Sequence, residues 1–420
     1  MNPETQKVQR IYLTLLLFNT LAASLIWGIN TLFLLDAGLS NAQAFAANAF
    51  FTVGMLLFEI PTGVIADLRG RRLSYLLGVF TLIIATLLYL LMWYIEAPFW
   101  GWAVSSILLG LGFTFFSGCV EAWLVDALTA KGYTGKLENV FAKGEIVEGI
   151  AMLSGSIAGG IIAQVSNIGV PYFIRVIILG VTFVLAFATM KDIGFTPAQG
   201  KHPLKEVKMI LKNSISHGFG NRPVRFLMLA SPFTMGVSIF AFYAMQPYLL
   251  ELYGNPQAYG IAGLAAAIVA GAQILGGILV PYLSKIINRR TTALLVGLFL
   301  SSAVLLIIGL IPNFWVAVSM LVIWALMFAA LTPIRQSFLN ELIPSEQRAT
   351  VLSFDSLLGS SGGVVTQPVL GKAADVWSYP ISYMLSAGIQ AIAIPFTLLA
   401  RKTNASADRV SKDENLVKQN

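Results

Sequence analysis

Twelve apolar runs, each long enough to cross a bilayer, follow one another along this chain and constrain its fold more than any other feature. About twenty apolar residues span the hydrocarbon core as a helix. In lipid every backbone N–H and C=O must find its partner inside the protein, so such runs become helices. They fall at 11–35, 44–66, 73–95, 98–128, 140–165 and 170–190, then at 226–250, 259–287, 292–311, 314–342, 349–374 and 380–400. Side chains are 57% hydrophobic and 11% charged, against about a quarter charged in ordinary soluble domains. The expected fold is all-α and integral to the membrane, with twelve transmembrane helices in two six-helix bundles.

Charge placement orients the spans. All basic residues except Arg175 and Lys372 fall on every second connection or at the chain ends. By the positive-inside rule both termini are then cytoplasmic. The net charge of +7, from 27 basic and 20 acidic side chains, therefore reports topology and not a nucleic-acid footprint. The partition reads as an N-terminal bundle at 1–190, a cytoplasmic linker at 191–225, a C-terminal bundle at 226–401 and a disordered cytoplasmic tail at 402–420. In the linker, Leu204, Val207 and Leu211 alternate with Lys205, Lys208 and Lys212, the pattern of an amphipathic helix on anionic lipid. Cys119 is the only cysteine, which excludes an intramolecular disulfide or a thiolate metal cluster. His202 and His217 lie in the linker without ligand spacing and read as solvated. Residues 1–9 are polar and the first run is longer than a signal-peptide core, so no cleaved leader is expected.

The second run ends in Gly63-x-x-x-Asp67-x-Arg69-Gly70-Arg71-Arg72, and the third begins at once with Leu73. Gly63 and Gly70 permit close approach or a sharp turn. This segment resembles the loop signature of the major facilitator superfamily. The resemblance implies two related six-helix halves and a cytoplasmic latch made by Asp67 and Arg71. Asp126, at the cytoplasmic end of helix four, reads first as a helix-end partner of Arg71 or Arg72 and second as a transport residue. An arginine can fork onto a carboxylate, and a carboxylate is favoured at a helix N-terminus. After helix eight, Pro281 to Arg290 repeats the segment in degenerate form, with Lys285 in place of Asp67, as an internal repeat would.

Helix five carries Ala151-x-x-x-Gly155-Ser156-x-x-Gly159-Gly160. This resembles the signature of the superfamily's drug–proton antiporters, although Ser156 stands where they have proline and Ala151 where they have glycine. Small residues at this spacing also let helices pack closely in lipid. Helix eleven has a related Gly359, Gly362, Gly363 and Pro368. The antiporters' arginine in helix four is missing, since no Lys or Arg occurs between Arg72 and Lys131.

Ionisable groups in hydrocarbon are expensive, roughly 2.5–3.5 kcal/mol each on insertion scales, and so mark function. Glu59 and Glu121 are the candidate proton carriers. For Glu59 a structural hydrogen bond beside the loop is an equal reading. Glu145 and Glu148 share one helix face, while Glu145 and Asp355 lie near helix N-termini, where a carboxylate is favoured in any case. Arg175 reads first as a partner of Asp36 or Asp375, and second as a contact for an anionic substrate.

In the superfamily, helices 1, 4, 7 and 10 line the cavity. Here they offer Asn30, Trp123, Tyr243, Gln246 and Trp324, with Pro247 and Pro333 as expected kinks. An aromatic, weakly polar lining suits a lipophilic cargo. The expectation is a monomeric secondary transporter of the cell (plasma or inner) membrane, exporting lipophilic drug-like compounds against protons. The alternative is a proton-coupled carrier of one small metabolite. No enzymatic site, cofactor, metal ligand set or nucleotide-binding loop is expected.

Overall fold

The computed structural model describes residues 3–197, 219–286, 288–343 and 345–409, of which 281–286, 345–347, 349 and 350 are described by their backbone alone. The amphipathic segment 203–212, both histidines, and the tail beyond Arg409 lie outside the described residues.

Each apolar run is helical. The helices are α1 (Pro3–Trp27), α2 (Asn30–Asp36), α3 (Asn41–Arg69), α4 (Arg71–Tyr94), α5 (Phe99–Thr114), α6 (Cys119–Ala130), α7 (Leu137–Val165) and α8 (Val170–Thr189). They continue with α9 (Arg222–Tyr253), α10 (Tyr259–Ile286), α11 (Arg290–Leu310), α12 (Phe314–Leu342), α13 (Ser345–Val376), α14 (Tyr379–Ala391) and α15 (Ala393–Lys402). Among the described residues 11 stretches are long and apolar enough to cross a membrane, not the expected twelve. The exception is α13. It is 32 residues of helix, but Asp355, Gln367, Lys372 and Asp375 interrupt its apolar character. Pro247 and Pro333 are both accommodated within continuous helices, α9 and α12.

Three expected spans are broken in two, and in the first two the freed backbone groups find side-chain partners. Between α1 and α2, Gln246 accepts from the Thr31 N–H at 2.9 Å and donates to the Trp27 carbonyl at 2.9 Å. Between α5 and α6, Gly118 adopts a left-handed φ of 64°, a conformation that suits glycine. Thr62 donates to the Thr114 carbonyl and Ser74 to the Phe115 carbonyl, both at 3.2 Å. The third break separates α14 from α15 at Ile392.

The chain forms two compact units, Met1–Val207 with Met245–Ala267, and Lys208–Ala244 with Ile268–Asn420. The first therefore includes the end of α9 and the start of α10. Gln246 holds the former. The latter approaches α7 so closely that a Cβ on Gly263 would lie 2.5 Å from the Ser156 carbonyl oxygen.

Both units use glycine in the same way. In the first, Gly155 and Gly159 of α7 lie on α1, where a Cβ would collide with Ser24 Oγ and the Leu25 carbonyl respectively. Ser24 also donates to the Ala151 carbonyl at 3.0 Å. In the second, Gly359 and Gly362 of α13 lie on Ser231 and the Pro232 carbonyl of α9. The helix-five motif and its helix-eleven relative thus each appose two backbones, the packing that small residues allow in lipid.

Candidate functional site

The Gly63–Arg72 segment closes α3 and opens α4. Gly70 has φ 105°, and a Cβ there would strike Asp192, so glycine is required twice over. Arg71 Nη1 donates to Asp67 Oδ1 at 2.7 Å, and its Nε lies 3.9 Å from Asp126 Oδ2. The structure thus brings Asp67, Arg71 and Asp126 together. Arg72 points elsewhere, with Nη2 donating to the Phe187 carbonyl at 2.8 Å and the guanidinium stacked over the Phe187 ring. Arg69 is exposed, and Gly63 faces open space. Partly exposed ion pairs of this kind contribute only about 0–1 kcal/mol each.

Sequence reasoning missed Asp192. It lies just past α8 and accepts from the Arg72 backbone N–H at 2.8 Å, where the first turn of α4 leaves donors unpaired. An acid beside a helix start with basic neighbours was the available signal.

The second unit repeats this device in a shifted register. Thr291, in the first turn of α11, donates its N–H to Asp408 Oδ1 at 2.8 Å and its hydroxyl to Oδ2 at 2.9 Å. Arg290 forks onto Glu341 at 2.6 and 2.5 Å and also donates to the Ala407 carbonyl at 2.6 Å. Arg290 therefore corresponds to Arg71, Glu341 to Asp126 and Asp408 to Asp192. Counted from Lys285 against Asp67, Arg290 would fall opposite Arg72; the network matches it to Arg71 instead. Segment 403–409, at the start of the expected tail, brings Asp408, 2% exposed, to the unpaired donors at the start of α11.

The acidic residues separate into two groups. Glu59 is exposed and accepts from Ser117 Oγ at 2.5 Å, at the α5–α6 break. Glu121 is half-buried in the first turn of α6, and its Oε2 is buried with no hydrogen-bond partner. Glu121 and Glu145 both act electrostatically on Glu148, and all three act on the buried Tyr12 of α1. Three helices of the first unit thus converge on one acidic cluster.

Of the five expected cavity residues, Asn30, Trp123 and Gln246 belong to the first unit and Tyr243 and Trp324 to the second. Asn30 is buried and bonded to Asn48 and Tyr172. Trp123 is buried, with Nε1 donating to the Lys191 carbonyl at 2.7 Å, and Gln246 is occupied at the α1–α2 break. In the second unit Tyr243 packs against Phe242. Trp324 stacks on Phe328 and, with Arg335, Gln390 and Ser301, lines a cavity of about 100 Å³. Of the antiporter-like residues, Ser156 is buried with its hydroxyl unpaired, and a Cβ on Gly160 would lie 2.9 Å from Gly263. Arg175 is not paired with Asp36, which accepts from Trp93 Nε1 at 2.8 Å instead.

A bundle of membrane-spanning helices in two units with repeated loop networks defines a transporter-like architecture. The chain belongs to the Major Facilitator Superfamily, whose family model matches residues 12–363 and again 228–419. It is 21% identical over 355 residues to an uncharacterized MFS-type transporter of Methanocaldococcus jannaschii, covering 83% of this chain and 86% of that protein. Among solved structures it resembles the nucleoside transporter NupG, with a TM-score of 0.74 at 12% identity over 94% of this chain and 99% of that one. It also resembles a bacterial homolog of the human lysosomal transporter Spinster, with a TM-score of 0.71 at 18% identity over 97% and 99% of the two chains. A peptide transporter POT in complex with sulfate gives 0.73 at 14% identity over 97% and 96%. At these identities the structures share the fold. The protein is a multi-pass membrane transporter.

Proposed function

We propose that this chain is a proton-coupled secondary transporter, working as a monomer in the plasma or inner membrane by alternating access between its two halves. The loop after α3, the linker and both chain ends lie on the cytoplasmic side in this reading. The observation that carries it is the Glu121 cluster. A half-buried carboxylate with an unpaired oxygen, flanked by two further acids, is the kind of group from which proton relays in transporters are built. Glu59, accepting from Ser117, serves the fold at the α5–α6 break. Asp67, Arg71 and Asp126 act as the latch.

Export of lipophilic drug-like compounds is the first cargo reading, supported by the antiporter-like stripe Gly155, Ser156, Gly159 and Gly160. Transport of one small metabolite is the second. It is favoured by the missing helix-four arginine and by Trp123 and Gln246, whose polar atoms are spent on backbone carbonyls and an N–H. The likeness in fold to nucleoside and peptide transporters fits either.

Proton release from inverted vesicles, followed with a pH-sensitive dye, tests the coupling. Lipophilic drugs, nucleosides and short peptides would be supplied in turn. Wild type and Glu59→Gln are expected to respond to an accepted cargo, and Glu121→Gln to lose at least 90% of the signal. A full response from Glu121→Gln overturns the assignment. Response to many drugs supports the first cargo reading, and saturation by a single compound class the second.

A further inference from the structure

Arg175 takes no part in the mechanism above, yet it is the most deeply buried charge in the first unit. It lies on α8 and is 1% exposed. Among the described residues it has no ion pair, and its Nε and Nη2 are buried without an acceptor. The Phe113 ring lies 5.9 Å from the guanidinium carbon, and the other groups acting on its charge are the hydroxyls of Tyr172 and Tyr89. An unpaired charge in such a place is strongly destabilising, so its retention requires a partner.

The side chains connected to Arg175 indicate what kind. Tyr172 donates to Asn30 Oδ1 at 2.9 Å, and Asn30 donates to Asn48 Oδ1 at 2.7 Å, which leaves Asn48 Nδ2 unpaired. Tyr89 shares a hydrogen bond of 2.6 Å with Ser106, and Trp102 packs edge-on against Tyr89 with its own Nε1 unpaired. The two amide acceptors of this network, Asn30 Oδ1 and Asn48 Oδ1, are already engaged. The unpaired atoms of Arg175, Trp102 and Asn48 are all N–H donors. Water brings as many donors as acceptors and leaves the positive charge in place, whereas an anion answers both deficits.

We propose that Arg175, with Trp102 and Asn48 as neighbouring donors, forms a binding site for a small monovalent anion, a halide or a carboxylate, inside the first unit. A carboxylate here is either a free ion or the acidic group of a transported molecule, and the latter source rests on the transporter reading above. The site is distinct from the Glu121 cluster, which is acidic and built from α1, α6 and α7.

Thermal unfolding of the full-length protein in detergent tests it, with chloride, bromide, formate or acetate titrated against methanesulfonate, which is neither halide nor carboxylate, at constant ionic strength. Wild type is expected to gain about 2 °C or more in midpoint, with saturation. Arg175→Gln, which keeps hydrogen-bond donors but removes the charge, should lose the saturable gain. Arg175→Lys should retain it with a weaker apparent affinity. Saturation by halides and carboxylates alike identifies a free-anion site. Saturation by carboxylates alone restricts the site to carboxylates, and competition between acetate and an accepted cargo in the vesicle assay then assigns it to the cargo's acidic group. No anion-dependent gain in wild type overturns the proposal even where a variant fails to fold. An undiminished gain in folded Arg175→Gln overturns it equally.

Discussion

At the scale of single residues, the glycines divide into two kinds that the sequence motifs do not distinguish. Gly159 lies so close to α1 that a Cβ would collide with the Leu25 carbonyl, and a backbone oxygen cannot turn aside as a side chain can. Gly159→Ala should therefore force α1 and α7 apart, with a loss of about 1–3 kcal/mol visible as a lower thermal midpoint. Gly63 meets nothing within 4 Å and lies inside α3. Gly63→Ala should leave folding intact or stabilise it by about 0.5–1 kcal/mol, so a transport defect in that variant would be functional. An equal midpoint loss in both variants would contradict this division. The glycine spacing was legible in the sequence, but which neighbour each glycine admits was not, because that neighbour comes from a distant segment. The same limit applied to Trp123 and Gln246. Their residue types suggested a cavity lining, and only the fold shows their polar atoms engaged with Lys191, Trp27 and Thr31.

At the scale of elements, helix positions were readable from apolar runs, since lipid leaves the backbone few alternatives. The breaks were not readable, because a broken helix is tolerated only where other segments satisfy the freed groups. Gln246 supplies this at the α1–α2 break, accepting from one backbone group and donating to another. Gln246→Leu keeps much of the side-chain volume but leaves the Thr31 N–H and the Trp27 carbonyl without partners. Each unpaired buried group costs about 1–3 kcal/mol. Hydrogen exchange should show α2 and the end of α1 losing protection in this variant while α4 keeps its own. Unchanged protection of the Thr31 amide would show that the break holds without Gln246.

At the scale of the whole molecule, the internal repeat extends beyond the helices. In each half an aspartate from the chain following the sixth helix returns to the N-terminus of the third, Asp192 to Arg72 and Asp408 to Thr291. An arginine one residue earlier reaches an acid near the end of the fourth, Arg71 to Asp126 and Arg290 to Glu341. Sequence comparison of the halves could not find this, because the two aspartates lie in polar segments of unrelated length. The halves differ in strength. Arg71 lies 3.9 Å from Asp126, whereas Arg290 forks onto Glu341 and Asp408 makes two bonds at 2.8 and 2.9 Å. At the arginine–acid pair the second unit makes the closer contact. Asp408→Ala removes both charge-assisted bonds, each worth about 1.5–3 kcal/mol. Its effect should be local, with faster exchange in the first turns of α11 and at the end of α12 and no change in α4. Asp192→Ala should do the converse at α4, by a smaller amount, because that carboxylate caps the backbone of Arg72 through one bond. If Asp408→Ala loosened both units alike, the segment 403–409 would be a support for the entire protein and not the clasp of one half.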